Sequence, residues 1–187
     1  MIKRFFDIFC ALVGLCLTGV LLVIFWLLAS IDTQSNGIFI QERIGQFGTV
    51  FKIYKLKTMH PVTHRISRLG IFLRQSKTDE LPQLWNVLKG DMSIVGPRPD
   101  VAGYYDLLQG ENRKILELKP GLTSLASIKY YKEEELLALQ DNPLRYNDAL
   151  VFPDKVRMNL EYYYHRSFWG DMKIIWRTLC RSEESIV

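Results

Sequence analysis

At 187 residues and 48% hydrophobic content, the chain is long enough for one domain with a substantial core and too short for two comfortable ones. Its formal net charge of +4 suits anionic ligands or an anionic membrane face, but it is too small to indicate nucleic acid as a partner. The three cysteines, Cys10, Cys16 and Cys180, are not spaced as disulfide pairs and have no metal-ligand histidines beside them, which argues against a disulfide framework and against a zinc site.

The first predicted element is an apolar segment at residues 8–31, which contains no charged side chain. At about 1.5 Å per residue, one straight helix of this length reaches about 36 Å, enough to cross a hydrocarbon core of about 30 Å. The run is longer than the apolar part of a signal peptide, about 7 to 15 residues, and no clear cleavage site follows it. We therefore expect the segment to remain in the membrane.

The charges on both sides of this segment leave its topology open. Lys3 and Arg4 precede it, and four further cations follow it at positions 43, 52, 55 and 57. Because positive residues favour the cytoplasmic side, both ends are drawn to the same face of the membrane. A spanning helix and a re-entrant hairpin are both compatible with the sequence. The bend of a hairpin would fall at Thr18-Gly19, where glycine permits unusual backbone angles and the hydroxyl can bond a freed backbone group.

The soluble part begins after the turn-rich residues TQSNG with a predicted β-hairpin. Two β-prone runs, residues 38–44 and 49–54, are separated by the glycine-containing residues 45–48. Short apolar runs joined in this way are typical of paired antiparallel strands.

Residues 65–75 form the next predicted helix, which is amphipathic. Its apolar face comprises Ile66, Leu69, Phe72 and Leu73, and its cations Arg65, Arg68 and Arg74 lie elsewhere on the helix. The pattern suits a helix lying on an anionic membrane surface, and equally an ordinary helix packed on a core.

A further helix is predicted to begin at Asp79, with Thr78 as its N-cap, Pro82 in its first turn and Gly90 as its stop. The helical spacing of its apolar residues predicts a buried face made of Leu81, Leu84, Trp85 and Leu88. Towards the C-terminus, helices are predicted over residues 133–139 and 169–179. The last helix has tryptophans on one side with cations beside them, a composition that suits a membrane interface: Trp169, Trp176, Lys173 and Arg177.

Asp79 and Glu80 stand in the first turn of their helix, where unpaired N–H groups and the positive end of the helix dipole favour ionised carboxylates. The pair therefore fits both an ordinary helix cap and the anionic half of a phosphate-handling site. Two arginines favour the second interpretation: Arg74 lies upstream, and Arg98 lies downstream within residues 96–99, where prolines fix the backbone before the guanidinium meets a phosphate. A magnesium ion held by one or two carboxylates and by phosphate oxygens would reconcile the two acids with an anionic ligand.

Residues 68–99, RLGIFLRQSKTDELPQLWNVLKGDMSIVGPRP, closely resemble the signature of the bacterial sugar transferase family. These monotopic phosphoglycosyl transferases load a sugar 1-phosphate onto a polyprenyl phosphate carrier. The resemblance covers nearly the whole chain and continues in KRFFDIF, QERIG, FKIYKLKTM, KPGLT and SFWGDMKIIWRTL. The length is similar to that of the small members, which consist of the catalytic domain alone.

This resemblance implies a two-step reaction. Asp79 would be the nucleophile that attacks the β-phosphate of a UDP-sugar, giving an aspartyl-phosphosugar and UMP, and polyprenyl (undecaprenyl) phosphate would then take the phosphosugar. Glu80 would assist the nucleophile, and Mg²⁺ would be the cofactor, with Asp79 as its protein ligand. The implied substrate-binding residues are Arg74, Arg98, Lys55 and Lys57.

The chain departs from the family pattern at two informative places. Members usually carry Ser-Pro at the break in the membrane helix, where this chain has Thr18-Gly19. They also carry Phe-Arg where this chain has Leu56-Lys57, which replaces a forked donor with a point charge.

Taken together, the sequence predicts an α+β fold that is mainly helical, with an N-terminal membrane helix, one small β-hairpin and amphipathic interfacial helices. Residues 1–32 would be embedded in the membrane, residues 33–180 would form a catalytic domain on the cytoplasmic face of the bacterial inner membrane, and residues 181–187 would be a loose tail. The alternative is a catalytically silent, membrane-anchored scaffold of a glycan-assembly complex. The sequence names neither the sugar nor the oligomeric state.

Overall fold

The computed structural model describes residues 2–180, so the predicted tail lies outside the described residues. The chain forms two compact units, one made of residues 2–43 and 50–94 and the other of residues 44–49 and 95–180. The first unit contains, in chain order, α1 (Ile2–Asp32), β1 (Ile38–Ile44), β2 (Val50–Leu56), α2 (Arg68–Gln75), a 3-10 helix (Thr78–Gln83) that we call the acidic turn, and α3 (Leu84–Lys89). Strand β3 (Ser93–Val95) follows where the chain passes to the second unit.

Helix α1 contains the whole predicted apolar segment. It is helical without interruption through Thr18 and Gly19, and the Thr18 hydroxyl donates to the Gly14 carbonyl one turn earlier, at 2.7 Å. Many large apolar side chains of α1 point away from the protein, among them Leu17, which is 76% exposed, and Ile31, which is 75% exposed. Within residues 2–180, α1 is the one helix long and apolar enough to cross a membrane. Its exposed apolar surface identifies α1 as a membrane-associated helix.

The predicted hairpin is confirmed. Strands β1 and β2 pair, and the 3-10 turn Gln46–Gly48 joins them. The connection is tight because Phe47 and Gly48 adopt left-handed backbone angles, with φ of 58° and 77°.

The acidic turn differs from the prediction in its start and in its buried face. Thr78 does not cap it: the N-cap is Lys77, in the left-handed region at φ 56°, and the Thr78 hydroxyl instead bonds the Ser76 hydroxyl at 2.8 Å. A 3-10 helix has about three residues per turn, fewer than an α-helix. The apolar residues of α3 are therefore rotated relative to the positions predicted for one continuous α-helix. As a result Trp85 is 53% exposed, whereas Val87 is fully buried in its place. The predicted stop at Gly90 is confirmed by its left-handed φ of 97°.

The second unit is built around a small apolar core. Its elements are the 3-10 helices Tyr105–Leu107 and Gly110–Glu117, strand β4 (Gly121–Thr123), and helices α4 (Leu125–Lys129), α5 (Glu133–Ala138), α6 (Pro143–Tyr146), α7 (Phe152–His165) and α8 (Phe168–Leu179). A π-helical turn, Asn147–Val151, joins α6 to α7. The core consists of Ile44, Tyr105, Ile115, Leu116 and Val156. Helices α5 and α8 confirm the two predicted C-terminal helices.

The α+β, mainly helical fold class is confirmed, with two small sheets in residues 2–180 rather than the single hairpin expected. The additional sheet pairs β3 with β4, and the Gly96 amide extends it by donating to the Thr123 carbonyl at 3.0 Å. Strands of three residues are too short to show a period of two in a sequence.

Candidate active site

The predicted acid pair lies in the acidic turn of the first unit. The Asp79 side chain is buried, with only 8% of the residue exposed, and its Oδ1 atom has no hydrogen-bond partner within residues 2–180. Glu80 is paired differently, because its Oε1 accepts a hydrogen bond from Lys55 Nζ on strand β2 at 3.0 Å. The two neighbouring acids are therefore not equivalent: Glu80 is ion-paired with Lys55, whereas Asp79 has a buried carboxylate oxygen without a hydrogen bond.

The environment raises the pKa of Asp79 above its ordinary value. Burial is the main cause, since it disfavours the charged form, and the negative charge of Glu80 adds to it. Lys55, Lys77 and Arg74 act in the opposite direction and lower the pKa by a smaller amount. The helix start was expected to hold this carboxylate ionised; burial and the neighbouring acid outweigh that effect.

Arg74 is brought to the acid pair by the geometry of the chain. It occupies the last turn of α2, and its Nε donates to Thr58 Oγ1 at 2.9 Å, which holds the side chain in place. The left-handed conformation of Lys77 then reverses the chain between α2 and the acidic turn. Three cations, Lys55, Lys77 and Arg74, thus act electrostatically on Asp79.

Lys57 and Arg98 are the two remaining predicted substrate-binding residues. Lys57 donates from Nζ to Ser35 Oγ at 2.9 Å, next to the end of α1. Arg98 belongs to the second unit, where it is exposed between the buried residues Pro97 and Pro99. The Gly121 amide donates to the Pro97 carbonyl at 2.8 Å, so β4 also braces the loop that contains Arg98. The substrate-binding roles of both residues remain predictions.

The sequence reasoning missed two buried amides near the acid pair. Gln83, which is 3% exposed, ends the acidic turn, and its Nε2 has no hydrogen-bond partner in the described part of the chain. Asn86 is fully buried and fastens α3 to β2 by donating to the Lys52 carbonyl at 2.7 Å. The only signal for them was the presence of polar residues among the apolar positions of the predicted helix.

The donor set at Asp79 fits Mg²⁺. No group of three or more histidine, cysteine or acidic side chains placed to hold a metal occurs in residues 2–180. Magnesium commonly takes only one or two protein carboxylates and completes its octahedron with water and substrate phosphates. The unpartnered Oδ1 of Asp79 is the kind of hard oxygen ligand that this arrangement requires.

The last helix presents the predicted aromatic face. Trp169 is 74% exposed and Trp176 is 68% exposed, with Lys173 and Arg177 exposed on the same helix. The polar Thr178 side chain faces the protein and bonds Thr123 Oγ1 in β4, at 2.7 Å. Tryptophans next to cations suit the headgroup region of a membrane, and contact with lipid remains a prediction for this face.

Comparison with known proteins finds similarity along almost the entire chain. Residues 1–183 match the sequence profile of a family described as bacterial sugar transferase. The chain is 32% identical to the galactosyl transferase CpsE of Streptococcus agalactiae over 201 residues, covering 95% of this chain and 41% of CpsE.

Two further relatives match over more of their own length. The sugar transferase EpsL of Bacillus subtilis is 32% identical over 189 residues, which cover 96% of this chain and 86% of EpsL. The UDP-glucose:undecaprenyl-phosphate glucose-1-phosphate transferase of Caulobacter vibrioides is 32% identical over 192 residues, which cover 95% of this chain and 68% of that enzyme. The chain thus spans less than half of CpsE and most of EpsL.

Proposed function

Because this chain belongs to the bacterial sugar transferase family, we propose that it transfers a sugar 1-phosphate from a UDP-sugar to polyprenyl (undecaprenyl) phosphate and releases UMP. The name of the Caulobacter relative states this reaction for glucose, whereas the name of CpsE refers to galactose. The reaction class is therefore the proposal, and the identity of the sugar is left to experiment.

The observation that carries the proposal is the asymmetry of the acid pair. A buried carboxylate with an unpartnered oxygen costs free energy unless something binds it. The cations around Asp79 suit a diphosphate, which would bring further negative charge to the same place. A helix cap would need none of this, because its oxygens would bond the backbone of the turn.

In the first step, an ionised Asp79 oxygen forms a bond to the β-phosphorus of the UDP-sugar. The bond from that phosphorus to the oxygen bridging the two phosphates breaks, and UMP leaves with the electron pair on its α-phosphate. Arg74 and Lys55 offset the charge that accumulates, and Glu80, held by Lys55, keeps this cation beside the nucleophile. Bound Mg²⁺ would supply charge neutralisation at the phosphates.

In the second step, an oxygen of polyprenyl phosphate bonds to the same phosphorus, and the acyl-phosphate bond to Asp79 breaks. A phosphate monoester is already largely ionised near neutral pH, so the acceptor has little need of a general base. This agrees with the lack of a histidine among the charged groups that act on Asp79.

The contacts of α1 support a placement on one face of the membrane. Near its start, Arg4 donates to the Val87 carbonyl of α3, and at its end Asp32 accepts from the Ser67 hydroxyl at 2.6 Å. Both ends are therefore held by the same compact unit, whereas a spanning helix places its ends on opposite sides of the bilayer. With the cations on both flanks, this favours both ends of α1 at the cytoplasmic surface. Because α1 is continuous through Thr18-Gly19, the bend expected there for a hairpin is not formed.

The nucleotide product tests the proposed reaction. Full-length protein in lipid, with Mg²⁺, undecaprenyl phosphate and a panel of UDP-glucose, UDP-galactose and UDP-N-acetylgalactosamine, should release UMP with at least one donor. Release of UDP would contradict the mechanism, because an ordinary glycosyltransferase cleaves the sugar–phosphate bond. No product with an extended panel would favour a silent scaffold.

The same reaction mixture tests the covalent step. When the UDP-sugar is labelled in its sugar and undecaprenyl phosphate is left out, the protein should become covalently labelled. The label should be held as an acyl phosphate, a bond that is cleaved by acid or base. Asp79→Asn should abolish this labelling, and Glu80→Gln should only slow turnover. Labelling that survives Asp79→Asn would assign the nucleophile to another residue.

A further inference from the structure

The first four turns of α1 make polar contacts that the proposed reaction does not use. Asp7 is 3% exposed although it lies in a mainly apolar helix with many exposed side chains. Its carboxylate accepts the Ser93 hydroxyl at 3.0 and 2.9 Å and the Ile94 amide at 3.0 Å, all within the first unit. A buried carboxylate is costly unless it is hydrogen-bonded, so these three contacts are a built attachment point rather than a chance approach.

Arg4 makes the corresponding contact with α3. Its two terminal nitrogens donate to the Val87 carbonyl at 2.6 Å and to the Leu88 carbonyl at 2.8 Å. The last carbonyls of a helix have no partner inside the helix and carry the negative end of its dipole. The Val87 carbonyl also accepts the Gly90 amide at 3.1 Å, so Arg4 adds a second bond there and fixes the end of α3 to α1.

Two small residues complete the same face of α1. Ala11 is fully buried, and a Cβ atom on Gly14 would come within 2.9 Å of Leu84 Cδ1 at the start of α3. Positions 4, 7, 11 and 14 follow the helical spacing that places residues on one side. This face, which we call the α3-docking face, therefore holds α3 from its first residue to its last turn.

The acidic turn is continuous with α3. Gln83 ends the turn and Leu84 begins the helix, with no loop between them. A displacement of α3 against α1 therefore displaces Asp79 as well. Because a misplacement of about 1 Å can cost about a hundredfold in rate, the attachment matters for chemistry and not only for stability.

We propose that Arg4 and Asp7 are positioning residues. Arg4 holds α3 and Asp7 holds the first residues of β3 against α1, and together they fix the nucleophilic carboxylate relative to the membrane helix and hence to the lipid acceptor. This inference rests on the proposed function. It assigns a role in the reaction to two residues that touch neither the acid pair nor any group expected to bind phosphate.

The test compares Asp7→Asn, Ser93→Ala and Arg4→Lys with wild type as full-length proteins in lipid nanodiscs, using the UDP-sugar that wild type consumes. We expect kcat for UMP release to fall about tenfold to a hundredfold in Asp7→Asn and by a smaller factor in the other two, with KM for the UDP-sugar changed less than about threefold. Asp141→Asn, the same substitution at an exposed acid, is the matched control and should leave both constants unchanged.

Hydrogen exchange of the Ile94 amide provides a readout that does not depend on activity. It should accelerate in Asp7→Asn, because its acceptor is weakened, and stay slow in the control. Faster exchange with unchanged kcat would overturn the positioning role, as would a rise in KM at unchanged kcat. If Asp7→Asn does not fold, Ser93→Ala and Arg4→Lys decide by the same criteria. Failure of wild type to release UMP from any donor would instead contradict the proposed function.

Discussion

The Asp79 carboxylate is buried, lacks a hydrogen bond to Oδ1 and lies beside Glu80, and each of these features opposes the charge that a nucleophile needs. Cations at Lys55, Lys77 and Arg74 compensate only in part. The proposed Mg²⁺ would favour the ionised form, whereas the negative charge of substrate phosphates would oppose it. In the protein alone, burial and the neighbouring acid dominate.

This conflict predicts that Asp79→Asn is more stable than wild type at neutral pH. Removing the buried charge should raise the free energy of unfolding by about 1 kcal/mol. For a chain of this size that corresponds to a rise in Tm of about 2–4 °C. Thermal unfolding in the same lipid or detergent, with Asp141→Asn as the matched control, measures the difference.

The stability gain should depend on pH in a defined direction. Since the folded-state pKa of Asp79 lies above its ordinary value of 3.8, the folded state binds more protons than the unfolded state between these two values. Wild-type stability attributable to this group therefore falls as pH rises through that interval, and the advantage of Asp79→Asn grows. An advantage that shrinks as pH rises from about 4 to 7 would contradict the raised pKa.

For single residues, the sequence predicted which charged groups lie near Asp79 better than it predicted their hydrogen-bond partners. Asp79, Glu80, Lys55 and Arg74 are brought together as expected, because they lie in adjacent elements of one unit. The contact between Lys57 and Ser35 was not foreseeable, because it depends on how the end of α1 meets β2. The unpartnered oxygen of Asp79 depends on tertiary burial, which no local pattern encodes.

At the scale of elements, the errors concentrate around the acidic turn. The hairpin and the C-terminal helices follow from local signals, namely glycine-containing turns and periodic apolar residues, and these are confirmed. The start at Thr78 was wrong because Lys77 adopts a left-handed conformation that the sequence does not demand. One 3-10 turn then moved Trp85 out of the predicted buried face. Local rules thus failed where the chain departs from regular helix next to the proposed nucleophile.

The packing of α1 on α3 makes a second prediction. Gly14→Val should destabilise the first unit by about 1–3 kcal/mol, because its side chain collides with the end of the Leu84 side chain, which must shift within a packed contact. Gly19→Val is the matched control on the same helix, since a Cβ atom at Gly19 meets nothing within 4 Å.

Thermal unfolding and an additional substitution test this packing. Leu84→Ala in the Gly14→Val background should restore part of the lost stability by making room for the new methyl groups. Equal stability of the Gly14 and Gly19 variants would contradict close contact between α1 and α3.

At the scale of the whole molecule, the membrane helix is part of the first unit rather than an appendage to it. Helix α1 packs along α3, and at its end Asp32 accepts from the hydroxyl of Ser67, the N-cap of α2. The apolar segment itself was plain from the sequence, because its hydropathy is a local property. Its attachment to the rest of the unit required the tertiary structure.

Labelling of single cysteines should show the start of α1 and the loop before α2 on one side of the membrane. In a background with Cys10, Cys16 and Cys180 changed to serine, cysteines at Ile2 and Val62 should resist an impermeant maleimide in intact cells or spheroplasts. Both should react after permeabilisation, because both are exposed and the proposed orientation places both on the cytoplasmic side. A cysteine at Leu17, facing lipid, is the unreactive control. Labelling of the Ile2 position alone in intact cells would mean that the helix crosses the bilayer.

The attachment of α1 also limits how a water-soluble form of this protein can be made. Deleting α1 would uncover Leu84, leave the buried Ser93 hydroxyl and Ile94 amide without their acceptor, and remove the donors from the end of α3. The remaining chain would lose the contacts that hold α3, and with it the acidic turn that carries Asp79, in place. Solubility would instead have to come from polar side chains on the lipid-facing side of α1, at positions such as Leu17, Val20 and Ile31, with the α3-docking face left intact.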